Sequence, residues 1–315
     1  MIYTITLNPA IDRLLRVSGE ILPGNNNRIL DESFDVGGKG THVSIGLKTL
    51  GVQNHCTGIV GERGSEQLLK LLDTYSVSGD FIKLKNEKLR TNLVIKDEIE
   101  SGNYLISEMG IELTKELIDL FIQEKLADIN KGDWLVISGD PSQKTKPNVF
   151  KYLLDELTKR EIKLFLDVSA KYLLMSEGTN LEFIKPNQFE FSEMVGREVR
   201  TIKDCIHAYF NNLNLFKHIK HTVITLGSHG SILLSENCCF VFSPLSLDIV
   251  NDTGAGDAFV SGFIYGLKEG MSAEKACAFA NAVGAAKTQV NKCAGFNLEQ
   301  VNKYFEEIEW KEMKL

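Results

Sequence analysis

Residues 134–167 read Trp134-Leu135-Val136-Ile137-Ser138, then a segment near Lys146–Lys159 with a 3.6-residue apolar period, then Lys163-Leu164-Phe165-Leu166-Asp167. A short apolar run, a helical pattern and a second short apolar run predict strand, helix, strand. The same alternation extends both ways. Towards the N-terminus, strands are predicted at Ile2–Leu7 and His55–Val60. Between them Val43, Leu47 and Leu50 share a helix face that Gly51 closes, and further helices follow near Glu66–Thr74 and Thr114–Ile129. Towards the C-terminus come strands at Phe183–Lys185 and Thr222–Leu226, a helix near Ile202–Phe216, and a helical end: Asp257–Leu267, Ala273–Val290 and Leu298–Ile308. This pattern predicts an α/β fold, a mostly parallel central sheet flanked by helices on both faces.

Two stretches break the alternation. Asp12–Val36 and Arg90–Ser107 read as short strands separated by turn residues such as Pro23-Gly24-Asn25-Asn26-Asn27 and Ser101-Gly102-Asn103. They are expected to meet as one small sheet, a lid over the open edge of the main layer. The 315 residues are read as a single α/β domain with a discontinuous β-lid from about 12–36 and 90–107.

Composition narrows the function. Hydrophobic residues at 43% and charged residues at 24% exclude a disordered or fibrous chain. Lys+Arg 35 against Asp+Glu 42 gives a net charge of −7, which argues against nucleic acid as a partner but not against a small anion held by a local cationic cluster. No apolar run reaches the roughly 20 residues of a bilayer span, and Met1–Leu7 reads as a strand, not a leader. The six cysteines form no CxxC and no zinc spacing with histidine, so buried free thiols and a cytoplasmic location are expected.

Five short motifs carry chemistry. Asn251-Asp252-Thr253-Gly254-Ala255-Gly256-Asp257 precedes a helix. Its glycines allow a sharp turn whose N–H groups can hold an anion at the helix N-terminus. Asp257 in the same turn is either a helix cap or a base beside an anion hole. Gly37-Gly38-Lys39-Gly40-Thr41-His42 is neither a Walker loop nor a dinucleotide fingerprint, but it lets a ligand approach main chain closely. In Lys185-Pro186-Asn187-Gln188-Phe189-Glu190, Asn187 and Glu190 have the spacing of a capping box. Thr225-Leu226-Gly227-Ser228-His229-Gly230 alone says hairpin. In Asn8-Pro9-Ala10-Ile11-Asp12, the carboxylate either contacts sugar hydroxyls or forms an Asx-turn.

These five motifs, in this order and at these spacings, make the chain resemble the PfkB (ribokinase-like) carbohydrate kinase family over essentially its whole length. The Asn8–Asp12 start with Gly37-Gly38-Lys39-Gly40 is similar to the hexose-phosphate branch, the 1-phosphofructokinases and tagatose-6-phosphate kinases. The resemblance implies an ATP- and Mg²⁺-dependent kinase that turns a ketohexose phosphate into a bisphosphate, fructose 1-phosphate being favoured over tagatose 6-phosphate. It implies Asp257 as general base and Gly254, Ala255 and Gly256 as the anion hole. Asn187 and Glu190 would organise Mg²⁺ through waters, with Lys185 nearby. Thr225, Gly227 and Gly230 would form the nucleotide loop, and Asn281 and Gly284 the adenine pocket. Asp12, Gly38 and Ser138 would contact sugar hydroxyls, while Arg28, Lys39 and Arg90 would hold the existing phosphate. The lid would also form a homodimer interface.

The chain departs from that branch at four places. His42 stands where Asn is usual, and is either a sugar contact or packed beside the lid. Ser138-Gly139-Asp140-Pro141-Ser142-Gln143 replaces an SGSLPPG-like stretch, and Asp97-Glu98-Ile99-Glu100-Ser101 an ETEIN-like one. Asp252 adds negative charge at the anion hole, where a monovalent cation such as K⁺ would balance it. These departures motivate a second reading, a metabolite-binding or regulatory protein without catalysis, which has no need to keep Asp257 with Gly254-Ala255-Gly256.

Overall fold

The computed structural model describes residues 1–97, 103–235 and 238–313. Its strands are β1 (Ile2–Thr6), β2 (Ala10–Val17), β3 (Ile29–Gly37), β4 (His55–Gly61), β5 (Gly79–Lys88), β6 (Arg90–Asp97), β7 (Asn103–Ser107), β8 (Trp134–Ser138), β9 (Lys163–Asp167), β10 (Leu181–Ile184), β11 (Ile219–Thr225), β12 (Ser231–Leu234), β13 (Cys239–Phe242) and β14 (Trp310–Glu312). The helices are α1 (Lys39–Thr49), α2 (Glu62–Thr74), α3 (Lys115–Lys125), α4 (Pro147–Thr158), α5 (Ala170–Leu174), α6 (Gln188–Met194), α7 (Ile202–Asn211), α8 (Leu213–Phe216), α9 (Ala255–Lys268), α10 (Ala273–Lys287) and α11 (Leu298–Glu307).

Ten strands form one sheet in the order β14-β13-β12-β11-β10-β9-β8-β1-β4-β5. From β11 to β5 every pairing is parallel, and β12, β13 and β14 extend the sheet antiparallel. The parallel strands read as continuous apolar runs because both faces are covered. Leu135, Ile137, Leu164 and Leu166 pack with α3 and α4, while Val136 and Phe165 point the other way, towards α9 and α10. Period-two alternation therefore divides one strand between two cores.

The second sheet, β3-β2-β6-β7, joins the two stretches expected to meet. Residues 98–102, which include most of the Asp97–Ser101 departure, lie outside the described residues. Strands β5, β13 and β14 were not apparent in the sequence. Strand β5 carries Asp80, Lys83, Lys85, Glu87 and Lys88, the charged composition of a sheet edge. The helix expected over Ile202–Phe216 is two, broken at Asn212 with φ −124° and ψ 31°. The cysteines are all free, and five are buried. No helix among the described residues is long and apolar enough to cross a membrane.

One topological fact positions the site. After β1 the chain builds outward through β4 and β5, then returns to place β8 on β1's other side. Parallel sheets open a crevice outside the carboxyl ends of the strands where the order reverses. Here that point is the β1–β8 pair.

Candidate active site

A cleft of about 670 Å³ occupies that crevice, lined by Thr6 at the end of β1 and Asn8 after it, Gly139 and Asp140 after β8, Lys39, Arg90, Lys171 and Glu190, with Ser107–Met109 closing it from the small sheet. The residues around it come from strand ends and helix starts, where backbone groups are unpaired and side chains converge.

The glycines before α1 are dictated by space. A Cβ on Gly37 would lie 2.2 Å from Asp12 Oδ1, and one on Gly38, at φ +106°, 2.8 Å from Thr6 Cγ2. The chain therefore runs against β1 and β2 and delivers Lys39 to the cleft. Lys39 Nζ is 3.7 Å from Asp167 Oδ2. Asp167, at the end of β9, is almost wholly buried. It also accepts a hydrogen bond from Ser138 Oγ at 3.0 Å and has Lys185 Nζ 3.1 Å from Oδ1. Burial would raise this carboxyl, but Lys185 and Lys39 outweigh it and hold it below its ordinary value. Lys39 is raised in turn, chiefly by the Asp167 charge. Asp167 is the organising residue that sequence reading missed. Its signal was present: a carboxylate ending an apolar run of a parallel strand.

Ser138 was expected to touch sugar. It is fully buried and its hydroxyl is engaged by Asp167, so it orients that carboxylate instead. Lys185 was expected with the nucleotide. Its Nζ lies 3.3 Å from where a Cβ on Gly256 would be, which puts an ammonium against the first turn of α9.

That turn is built on Gly254, left-handed at φ 83°, whose Cβ would meet Cys293 O at 2.1 Å. Ala255 N–H donates to Asp252 O at 3.0 Å, so it is not free for an anion as expected. Among the described residues the N–H groups of Gly254, Gly256 and Asp257 have no partner, so in the anion-binding set Asp257 N–H takes the place of Ala255 N–H. Asp257 lies in the same turn with its side chain almost wholly buried. Its Oδ2 is 2.8 Å from His42 Nδ1, and among the described residues Oδ1 has no hydrogen-bond partner. The helix-cap alternative fails, because Asp257 lies inside α9 and makes no capping bond.

His42 is therefore neither a sugar contact nor simply packed beside the small sheet: it joins Asp257 to the Val36 carbonyl, 2.7 Å from Nε2. Behind the same turn, fully buried Lys287 donates to Asn251 O at 3.2 Å. Burial pulls its amine below the usual lysine value against the pull of Cys293, Asp252, Asp35 and Asp257. Nothing short-range in the sequence marked this lysine, which sits in an otherwise small-residue helix.

On the small-sheet side, buried Asp12 accepts from Asn92 Nδ2 at 2.7 Å, and burial raises its carboxyl. Arg90 donates to Asn8 O at 2.9 Å and Asn92 Oδ1 at 3.0 Å and lines the cleft. Arg28 does not reach it. Ala10 pairs with Gly37 near the cleft, while Val17 pairs with Ile29 at the far end of the same ribbon. Seven residues of strand separate these ends by roughly 23 Å, so exposed Arg28 is outside the site.

On the opposite side, Thr225 N–H donates to Pro186 O at 3.1 Å, which ties the end of β11 to the Lys185–Asn187 turn. The hairpin is real, and Gly230 is required in it because a Cβ would meet Phe242 O at 2.1 Å. Gly227 begins the turn at φ 57°. Asn281 hydrogen-bonds Ser231 and Cys277 O, which ties α10 to β12, and buried Gly284 packs α10 on Phe259 of α9; neither lines the cleft.

The metal expectation divides. Asn187 Oδ1 already accepts from Phe189 N and Glu190 N, and Glu190 Oε2 accepts from Asn187 N, a complete capping box. An amide oxygen with both lone pairs engaged has none left for a cation. Glu190 fits better. Its Oε1 has no hydrogen bond among the described residues, it lines the cleft, and burial raises its carboxyl against the pull of Lys39 and Lys185.

The sequence pattern of the pfkB family carbohydrate kinases matches residues 5–300. The chain belongs to that family. It is 30% identical over 310 residues to the 1-phosphofructokinase of Vibrio cholerae, covering 98% of this chain and 96% of that one. Among solved structures, the Escherichia coli phosphofructokinase-2 in complex with substrates and products superposes with a TM-score of 0.87 at 26% identity, over 97% of this chain and 98% of that one. The same enzyme in complex with potassium gives 0.88 at 27%, with 97% and 98% covered. The ribokinase-like architecture expected from the motifs is the one observed, and family membership implies ATP as phosphoryl donor with Mg²⁺.

Proposed function

We propose that this kinase transfers the γ-phosphoryl group of ATP to fructose 1-phosphate, giving fructose 1,6-bisphosphate. The carrying observation is Asp257: a buried carboxylate in the first turn of α9, one oxygen paired and the other without a partner, beside unpaired N–H groups and the Lys185 ammonium. A base so held takes the proton of the acceptor hydroxyl, while the N–H groups of Gly254, Gly256 and Asp257 receive the developing phosphoryl charge. Lys39 and Arg90 bind the phosphate already on the sugar, and Asp12 with Asn92 its hydroxyls. Glu190 would hold Mg²⁺, which would supply charge neutralisation for the phosphate oxygens. The small sheet acts as a lid that excludes water. The 1-phosphofructokinase relatives support fructose 1-phosphate as acceptor. Such an enzyme works in the cytoplasm, where ATP and phosphorylated sugars are held.

Potassium does not fit beside Asp252. The Lys287 ammonium already supplies a buried positive charge behind Gly254, and a second cation there would meet repulsion. We take turnover to be potassium-independent in this chain. The small sheet exposes apolar side chains, Phe34 and Ile106 on one face and Leu105 on the other, which supports a homodimer through it.

The test is ADP release with fructose 1-phosphate, fructose 6-phosphate and tagatose 6-phosphate side by side. A preference for fructose 1-phosphate in kcat/KM is expected. Faster turnover of another acceptor would replace the substrate, and none with any acceptor would favour a binding protein.

A further inference from the structure

His42 lies in the first turn of α1 with its ring almost wholly buried between two acceptors, Asp257 Oδ2 at 2.8 Å from Nδ1 and Val36 O at 2.7 Å from Nε2. A carbonyl can only accept, so Nε2 carries a proton. A neutral ring would then turn the Nδ1 lone pair on the carboxylate, which is tolerable only if Asp257 itself is protonated. The surroundings select the charged pair. Asp12 on β2 faces the ring as a second anion, and the cations nearby, Lys39 on α1 and Lys287 on α10, act on Asp257 from other sides. Cys293, which follows α10, faces Asp12.

Resting on the reading of Asp257 as base, we propose that His42 is a positioning residue: as an imidazolium it clamps Oδ2 of Asp257, keeps the carboxylate ionised and leaves Oδ1 to the acceptor hydroxyl. In the transfer, Oδ1 takes the hydroxyl proton and the hydroxyl oxygen bonds to the γ-phosphorus. The bond from that phosphorus to the β–γ bridging oxygen breaks, and its electrons leave with ADP. His42 keeps its proton throughout. Burial alone would push the imidazole down, but the hydrogen bond and charge of Asp257, with Asp12 and the Val36 carbonyl, hold it up at about 9. Above that pH the ring becomes neutral, the Nδ1 lone pair faces Oδ2, and the clamp is lost. The asparagine usual at this position in the resembling branch offers an amide with no proton to lose in this range, so the alkaline limit is a property of this histidine.

The experiment compares kcat against pH for the wild-type enzyme, His42→Asn and His42→Gln, with nitrogen-15 spectra of the wild type. Wild-type kcat is expected to fall above pH about 9. His42→Asn should lose about 10–100-fold in kcat at neutral pH, as when the outer partner of a reactive group is removed. Its KM should hardly change, and its alkaline limb should be gone. The spectra should show both ring nitrogens protonated at neutral pH. An alkaline limb retained in both variants, or a singly protonated His42, would overturn the proposal. The spectra decide alone if neither variant folds. Asp257→Asn separates the two readings. If it turns over normally, the base assignment falls and His42's role with it. If it is inactive while the His42 variants keep the wild-type pH profile, only the positioning role falls.

Discussion

Asp167 and Asp257 are both buried carboxylates at the carboxyl side of the same sheet, and their neighbours give them different work. Asp167 is surrounded by Ser138, Lys185 and Lys39, so both oxygens face donors or cations. Asp257 has one partner, His42, on one oxygen. A carboxylate with an ammonium group at each oxygen is held ionised and fixes charges in place. One with an oxygen to spare can accept a proton. Burial is common to both, so burial alone does not distinguish a charge organiser from a base; the cations that face each oxygen do.

Paired asparagine substitutions are the strongest way to break that comparison. Asp257→Asn should lower kcat by about 10³-fold or more, the worth of a positioned base, with a smaller fall in the urea midpoint, because His42 loses its buried counter-charge. Asp167→Asn should do the reverse in emphasis. It leaves Lys185 buried without its counter-charge, which costs about 3 kcal/mol of stability, read as a lower urea midpoint. Its KM values should rise as Lys39 and Lys185 lose their anchor. If Asp167→Asn were the catalytically dead, fully stable variant, the roles would have to be exchanged.

A smaller effect tests the cations. Arg90→Ala should raise KM for the sugar phosphate about tenfold or more, the worth of one charge-assisted contact, with kcat less affected. Arg28→Ala should change neither. Equal effects of the two variants in steady-state kinetics would mean that the lid ribbon bends Arg28 inward on substrate binding.

Much of this was legible from the sequence because it rests on local patterns. The β8–α4–β9 unit, Trp134–Ser138 to Lys163–Asp167, follows from apolar period alone, and its two strands have the predicted bounds. The turn at Gly254 and the box at Asn187 follow from capping chemistry. Pairings made by topology were not legible. The partner of His42 lies 215 residues away. Whether Asn187 Oδ1 is free for a metal depends on which N–H groups fold back onto it. Arg28 and Arg90 look alike as isolated cations, and only strand register separates them.

The smallest effect concerns stability against pH, where His42 and His221 behave oppositely. Burial, helped by Lys220, lowers the His221 imidazole to about 4. Its contribution is therefore present above the unfolded value near 6.5 and is lost as pH falls towards 4. The His42 imidazole is raised to about 9, so its contribution is complete below about 6.5 and is lost as pH rises through 9. Replacing His42 by Asn should remove about 2 kcal/mol of stability at neutral pH, and the difference from wild type should shrink between pH 7 and 10. The acid-side decline set by His221 should stay where it is. Urea midpoints of both proteins across that range measure this. A difference that is constant with pH would mean that His42 contributes by packing and not as an imidazolium held between Asp257 and Val36.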